Sequence, residues 1–278
     1  MVPAAVGFQC RSCVKADNRA SRQNQGVYGG RRSHNPRTTS FVLIGVNAAV
    51  WMVIQATSFT GFGDRVVDFL GLSPTGICLV TGESNTYWGG VGQAECQAMA
   101  NGTWMPGVAD GAWWQVVTSI FTHVSILHIA LNCLTLFFLG PALESLIGRT
   151  RFLATYFTAG LVGSLAVYWM APLVSMSYGG SGSLFGLMGA LLVLLYKRRM
   201  DVRQLLMWLG INVLITFVNL GSISWQAHLG GLVGGAAVAC AWAFIPAGAD
   251  RGRNQWMAVA GLVVLVIVGL MARTQMIA

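Results

Sequence analysis

Seven stretches of this chain run for a helix length or more without an Asp, Glu, Lys or Arg. They cover residues 41–57, 125–143, 152–174, 181–196, 205–220, 227–245 and 256–272, and polar residues gather in the segments between them. Apolar runs of this kind predict helices that cross a bilayer. The expected fold is therefore an all-α, polytopic membrane protein with seven transmembrane helices. The fourth run is short for a full span, so it is expected to begin inside the membrane, and its first residue is Ser181.

Composition supports the choice of solvent. Hydrophobic residues make up 55% of the chain, charged residues 9%, and the mean hydropathy is +0.62. A soluble domain carries roughly 25% charged residues, so a soluble globular protein is excluded. The formal net charge of +8 would suit nucleic acid, but its distribution points elsewhere. Seven of the 17 Lys and Arg residues precede the first helix. Arg149 and Arg151 separate the second and third helices, Lys197, Arg198, Arg199 and Arg203 the fourth and fifth, and Arg251 and Arg253 the sixth and seventh. Fifteen thus fall on one side, against Arg65 and Arg273 on the other. The excess marks the cytoplasmic side, placing the N-terminus in the cytoplasm and the C-terminus outside. No nucleic-acid partner is implied. The first 40 residues lack the apolar core of a cleavable signal peptide, so the first helix is expected to serve as an uncleaved anchor.

Against this apolar background a few polar residues stand out. Ser181 opens the fourth helix within Tyr178-Gly-Gly-Ser-Gly-Ser-Leu-Phe-Gly186, and His228 opens the sixth within Ala227-His-Leu-Gly-Gly231. Both helices run from outside to inside, so a hydroxyl and an imidazole share one depth near the outer face. A lone intramembrane Ser commonly bonds its own helix backbone, and a lone His packs or binds metal. Together, at matched depth, they point to function. Glycines offer a means for them to meet: Gly182, Gly186 and Gly189 flatten one side of the fourth helix, and Gly230, Gly231, Gly234 and Gly235 form small-xxx-small pairs on the sixth. The second helix adds His128 and Asn132, four residues apart on one face and also near its outer end. They either tie the helices together or supply donors to an oxyanion.

These motifs together resemble the rhomboid intramembrane serine proteases. The likeness rests on His128-xxx-Asn132, Leu139-Gly-Pro-Ala-Leu-Glu144, Gly179-Gly-Ser-Gly182 with Phe185-Gly-Leu-Met-Gly189, and Ala227-His-Leu-Gly-Gly231 through Gly235, in that order from about Trp113 to Ile245. The resemblance implies Ser181 as nucleophile, His228 as base, His128 and Asn132 at the oxyanion, and Phe185 packed against the imidazole. Gly179, Gly182, Gly231 and Gly235 would pack the site. One position departs from the family, which often has Trp-Arg before the second helix; here Trp114 is followed by Gln115. His123 is expected to be a loop-packing residue.

No carboxylate falls within a helix at the depth of His228, so a Ser-His dyad without a third, acidic member is expected. The reaction would be acyl transfer through Ser181 and hydrolysis by water entering from outside. A helical substrate hides its carbonyls, so substrates are expected to be transmembrane segments with helix-weakening residues. The bilayer is the other partner, and no cofactor or metal is implied. Two further classes compete: a silent rhomboid-like protein that binds membrane clients without cutting them, and a transporter. The first normally lacks the Ser or the His, and the second would string polar residues along a path through the bundle. The expected location is a bacterial cell membrane.

The remainder is structural. Glu144 and the arginines that follow Gly148 are expected to form an ion pair joining the second and third helices. Cys78 and Cys96, both in the long first loop, are either a disulfide or two free thiols, and their spacing leaves both open. Cys133 and Cys240 are packing residues. Cys10-Arg-Ser-Cys13 has the spacing of half a zinc site without the other half. By resemblance it is the tail of a Cys-rich module, either decayed or extending upstream. Three regions follow: residues 1–39, a mostly disordered cytoplasmic tail with a remnant CxxC; 40–247, a six-helix rhomboid core; and 248–278, an additional C-terminal transmembrane helix.

Overall fold

The computed structural model describes residues 2–3, 8–10, 26–31, 33–58, 63–81, 86–218 and 223–277. Cys13 of the Cys10/Cys13 pair and the last two positions of the fifth predicted run lie outside them. Each of the seven apolar runs forms a helix: α1 Arg37–Ser58, α2 Ile126–Ile147, α3 Arg149–Met170, α4 Ser181–Lys197, α5 Arg203–Val218, α6 Trp225–Phe244 and α7 Arg251–Ile277. Five of them, α1, α2, α3, α6 and α7, are long and apolar enough to cross a membrane. The other two are shorter apolar helices, α4 with 17 residues and α5 with 16. At 1.5 Å per residue, α4 falls a few ångströms short of a hydrocarbon core about 30 Å thick. Lys197 ends α4 at the arginine-rich end of the bundle, and Ser181 begins it at the other. The protein is a multi-pass helical membrane bundle.

Helices α3, α4 and α6 form its centre. More than half of α4 is buried, whereas α5 buries a single side chain, Thr216. Between lipid-like side chains there is little hydrophobic drive for association, so close backbone approach decides which helices pair. The four glycines of α6 divide that task. A Cβ at Gly231 would stand 1.9 Å from the Gly182 carbonyl oxygen and one at Gly235 2.0 Å from that of Gly186, both on α4. On the adjacent side a Cβ at Gly230 would meet Ala166 at 2.6 Å and one at Gly234 would meet Val162 at 2.7 Å, both on α3. Thus α6 is wedged between two neighbours by two glycine stripes. The sequence pattern gives the small residues but not this division between partners.

The long loop between α1 and α2 is folded. Strand β1 (Ile77–Val80) lies between β2 (Thr86–Trp88) and β3 (Gly102–Met105), antiparallel to both. Of the two open readings for its cysteines, the disulfide is the one found: Cys78 is bridged to Cys96 in the short helix Gln93–Ala98. Gln115 occupies the position where the resemblance leads one to look for an arginine. Fully buried, it accepts from the Ser73 amide at 3.1 Å and donates to the Pro106 carbonyl at 2.9 Å. A neutral amide therefore anchors the loop here. Further bonds run from Thr118 to the Leu70 carbonyl, 2.7 Å, and from Ser164 of α3 to the Val116 carbonyl, 2.9 Å. Leu72 and Ser177 exchange backbone bonds, joining the loop to the segment that leads into α4.

At the arginine-rich end, part of the N-terminal segment packs against the bundle. Tyr28 is buried and donates to the Leu194 carbonyl at 2.8 Å. Its own carbonyl accepts from the Arg151 guanidinium and from Gln255 of α7. Arg151 also donates to Gln255 Oε1 at 2.6 Å and lies over the Trp242 ring. A polar, glycine-rich segment packs here because the helix termini expose carbonyls and a guanidinium that need partners. The expected ion pair exists between Glu144 and Arg149, 3.5 Å apart, with Ser33 donating to the same carboxylate. Arg151 takes no part in it.

Candidate active site

The site is assembled where α4 begins. The chain reaches it through Gly179, whose φ of +124° belongs to a region that side chains rarely occupy. A Cβ there would also lie 2.6 Å from His128 Cε1, so the glycine lets the α2 imidazole rest on the backbone two residues before Ser181. The turn is held by two amide bonds. Gly179 N–H donates to the Ser119 carbonyl at 2.8 Å, and Gly180 N–H donates to His123 Nε2 at 3.3 Å. As first-turn residues, Ser181 and Gly182 carry amides that lack intrahelical acceptors.

Ser181 Oγ lies 2.7 Å from His228 Nε2 across the α4–α6 contact. Close helix approach makes this possible: Gly182 sits against the Ala227 carbonyl, and Gly231 against Gly182. Phe185, one turn below Ser181, stacks on the imidazole with ring centroids 4.1 Å apart and planes 13° from parallel. The other imidazole nitrogen, Nδ1, is 2.8 Å from Thr216 Oγ1 on α5. Both His228 and Thr216 are buried. The roles of the atoms follow by elimination. Thr216 Oγ1 lies 2.7 Å from the Asn212 carbonyl, which can only accept, so the hydroxyl hydrogen is used there. With the hydroxyl hydrogen on that carbonyl, Nδ1 would carry the imidazole hydrogen and donate it to Thr216, and Nε2 would be the acceptor facing the Ser181 hydroxyl.

On α2, Asn132 Nδ2 donates to the His128 carbonyl at 2.8 Å, and its side chain abuts the backbone at Gly180. His128 N–H is capped by Ser125 Oγ, which starts the helix. Thus Ser181, His228 and Phe185 form one connected group. His128 and Asn132 border the turn that presents Ser181; Gly182, Gly231 and Gly235 are at close backbone contacts, and Gly179 is at the His128 ring.

Two residues contribute more than their sequence context suggested. Thr216 was missed because one hydroxyl at the end of an apolar helix is indistinguishable from a back-bonding Thr. The spacing Asn212-xxx-Thr216 was the available signal. His123, expected to be loop packing, is fully buried and sits edge-on to His128, 5.0 Å between centroids. Its Nδ1 lies 3.2 Å from the Phe121 carbonyl and therefore carries the hydrogen, leaving Nε2 to accept from Gly180. Burial, reinforced by the neighbouring His128, pushes the His123 imidazole down to about 4, so it is neutral near pH 7. Among the described residues, no three His, Cys, Asp or Glu side chains are grouped to hold a metal ion.

The Rhomboid domain family model matches residues 110–246, the stretch that contains every residue of this site. The YdcA protein of Bacillus subtilis (strain 168), whose name carries the rhomboid designation, is 37% identical over 134 residues, 46% of this chain and 67% of that protein. The chain belongs to the rhomboid family. The rhomboid protease GluP of the same organism is 40% identical over 150 residues, 51% of this chain but 28% of GluP. Rhomboid-like protease 3 of Toxoplasma gondii is 32% identical over 142 residues, 49% of this chain and 54% of that protein. The matches therefore cover about half of this chain, and for the latter two relatives well under two thirds of their length. The bundle described above is a rhomboid-like fold, and the matched stretch runs from the end of the first loop through α2, α3, α4, α5 and α6.

Proposed function

We propose that this protein is an intramembrane serine endopeptidase that cleaves transmembrane segments through a Ser181–His228 dyad. The observation that carries the reading is the 2.7 Å contact between Ser181 Oγ and a His228 Nε2 left free to accept. The protease names of the relatives support it. In the proposed reaction Nε2 takes the hydroxyl proton as Ser181 Oγ bonds to a substrate carbonyl carbon. His228 then gives that proton to the leaving amine, and a water hydrolyses the acyl-enzyme. The developing oxyanion needs fixed donors. The unpaired first-turn amides of α4 lie beside the nucleophile, and His128 and Asn132 are the side-chain candidates. No carboxylate is required, because the Nδ1 hydrogen is held by a hydroxyl.

The excess of Lys and Arg at the opposite end of the bundle orients the site outward, with the N-terminus in the cytoplasm and the C-terminus outside. Suitable substrates are membrane-protein segments whose helix is locally weak, since a carbonyl bonded within a helix is closed to attack. A fluorophosphonate probe should label the purified chain and fail to label Ser181→Ala and His228→Ala. The same variants should not cleave a reconstituted transmembrane peptide. Labelling or cleavage that survives Ser181→Ala would sink the assignment. A folded parent chain that neither labels nor cleaves would favour a silent, client-binding protein.

A further inference from the structure

We propose that Thr216 is a positioning residue for the base: it holds His228 in the tautomer that can receive the Ser181 proton, and so makes the seating of α5 part of the active site. The proposal rests on the serine-protease reading above. A neutral imidazole can carry its hydrogen on either nitrogen. With the hydrogen on Nε2, it would present a donor to Ser181 Oγ and could not act as a base. Thr216 removes that choice. Its hydroxyl hydrogen is committed to the Asn212 carbonyl at 2.7 Å, so toward Nδ1, at 2.8 Å, it offers only lone pairs. The hydrogen is thereby held on Nδ1. When His228 takes up the serine proton, the same bond becomes charge-assisted and strengthens.

The choice of a hydroxyl fits its surroundings. A carboxylate would hold the imidazole more firmly, but an ionised acid at this depth in hydrocarbon is costly. A back-bonded Thr performs the orienting task without a buried charge. Its location on α5 adds a consequence. Thr216 is the one buried residue of that helix, while Leu214, Phe217 and Val218 beside it are 64%, 60% and 74% exposed. As the buried side chain of α5 that reaches the base, it ties the Nδ1 bond to the seating of that helix.

The full chain, reconstituted with a transmembrane peptide substrate, should test this directly. General-base catalysis contributes roughly 10²–10⁴-fold. Thr216→Val preserves side-chain shape while removing the acceptor, and should lower kcat by about 10- to 100-fold with KM nearly unchanged. Thr216→Ser should recover most of the loss, and Leu214→Ala, on the exposed face, should behave as the parent chain. In chain labelled with ¹⁵N-histidine, His228 should show a protonated Nδ1 and an unprotonated Nε2, and Thr216→Val should shift it toward a tautomer mixture. A Thr216→Val variant with parental kcat, or a parent His228 protonated on Nε2, overturns the proposal. The nitrogen shifts of the parent chain decide the tautomer even where a variant fails to fold. They are also independent of cleavage, so a Ser181→Ala chain that still cuts counts against the protease reading rather than the hydrogen-bond assignment.

Discussion

The two ends of the bundle bury polar groups by opposite means. At the arginine-rich end, Arg151 is buried with its charge shared among the Tyr28 carbonyl, Gln255 and the Trp242 ring. Nearby, Glu144 is fully buried against Ser33 and Arg149. At the other end the groups in the site are neutral: a hydroxyl, an imidazole, a second hydroxyl and backbone carbonyls joined in one chain of hydrogen bonds. Charge gives strong, fixed attachment, which suits the place where the N-terminal segment, α3, α6 and α7 are fastened. A neutral chain whose protons can move suits the proton transfer proposed for this site. The difference separates the fastening polar cluster from the proposed reactive one without appeal to residue type alone, since both ends contain buried donors.

The largest effect expected from breaking this contrast is at Ser181. Ser181→Ala should reduce cleavage by roughly 10⁴-fold or more, while the thermal midpoint in detergent stays within a few degrees of the parent. An equal loss of fold would mean that Ser181 belongs to the structural class. Arg151→Ala should do the reverse. Losing two hydrogen bonds from a charged group costs roughly 3–6 kcal/mol, seen as a lower midpoint. The kcat of chain that remains folded should stay within a few-fold of the parent, and a parental midpoint would refute the fastening role.

Gly231→Ala tests the backbone contact that brings the dyad together. A methyl placed 1.9 Å from a carbonyl oxygen must push α4 and α6 apart, at a cost of about 3 kcal/mol, the upper part of the overpacking range. Both midpoint and kcat should fall, unlike either change above. Gly261→Ala on α7, where a Cβ would meet nothing within 4 Å, should leave both unchanged.

The smallest expected effect is a pH dependence at His123. Its folded value of about 4 lies below the ordinary 6.5, so between these values the unfolded chain binds more protons than the folded one. Stability from this group is therefore present above about pH 6.5 and lost as the pH falls toward 4. The loss between pH 7 and pH 5 should be about 2 kcal/mol. His123→Gln, whose carbonyl can still accept from Gly180, should flatten that part of the midpoint–pH curve. An identical slope in the variant would remove His123 from the account.

How far such features can be read from sequence depends on whether they are local. The seven helices were legible because an apolar run records its solvent in composition. Ser181 and His228 were legible because a polar residue in that solvent needs a reason, and Phe185 followed from the resemblance. Gln115 was marked only as a departure, and its anchoring role depends on Ser73, 42 residues away in the chain, and on Pro106, both brought close by the loop fold. Residues 26–31 read as a polar, glycine-rich stretch in composition, yet Tyr28 docks because the helix termini offer unsatisfied groups.

The sequence by itself determined the membrane solvent, the positions of the spans, the bias of charge toward one end and the residue types available for chemistry. The tertiary structure decided which face of each helix meets which neighbour. An amphipathic helix encodes its rotation in the pattern of its side chains, but α5 and α6 are apolar around most of their circumference and carry little such signal. The rotation of α6 is set by backbone contact at Gly231 and Gly235, and that of α5 goes with the contact between Thr216 and His228. Only that packing brought two polar residues on separate helices within hydrogen-bond reach, Ser181 Oγ at 2.7 Å from His228 Nε2, with Thr216 Oγ1 2.8 Å from the other ring nitrogen.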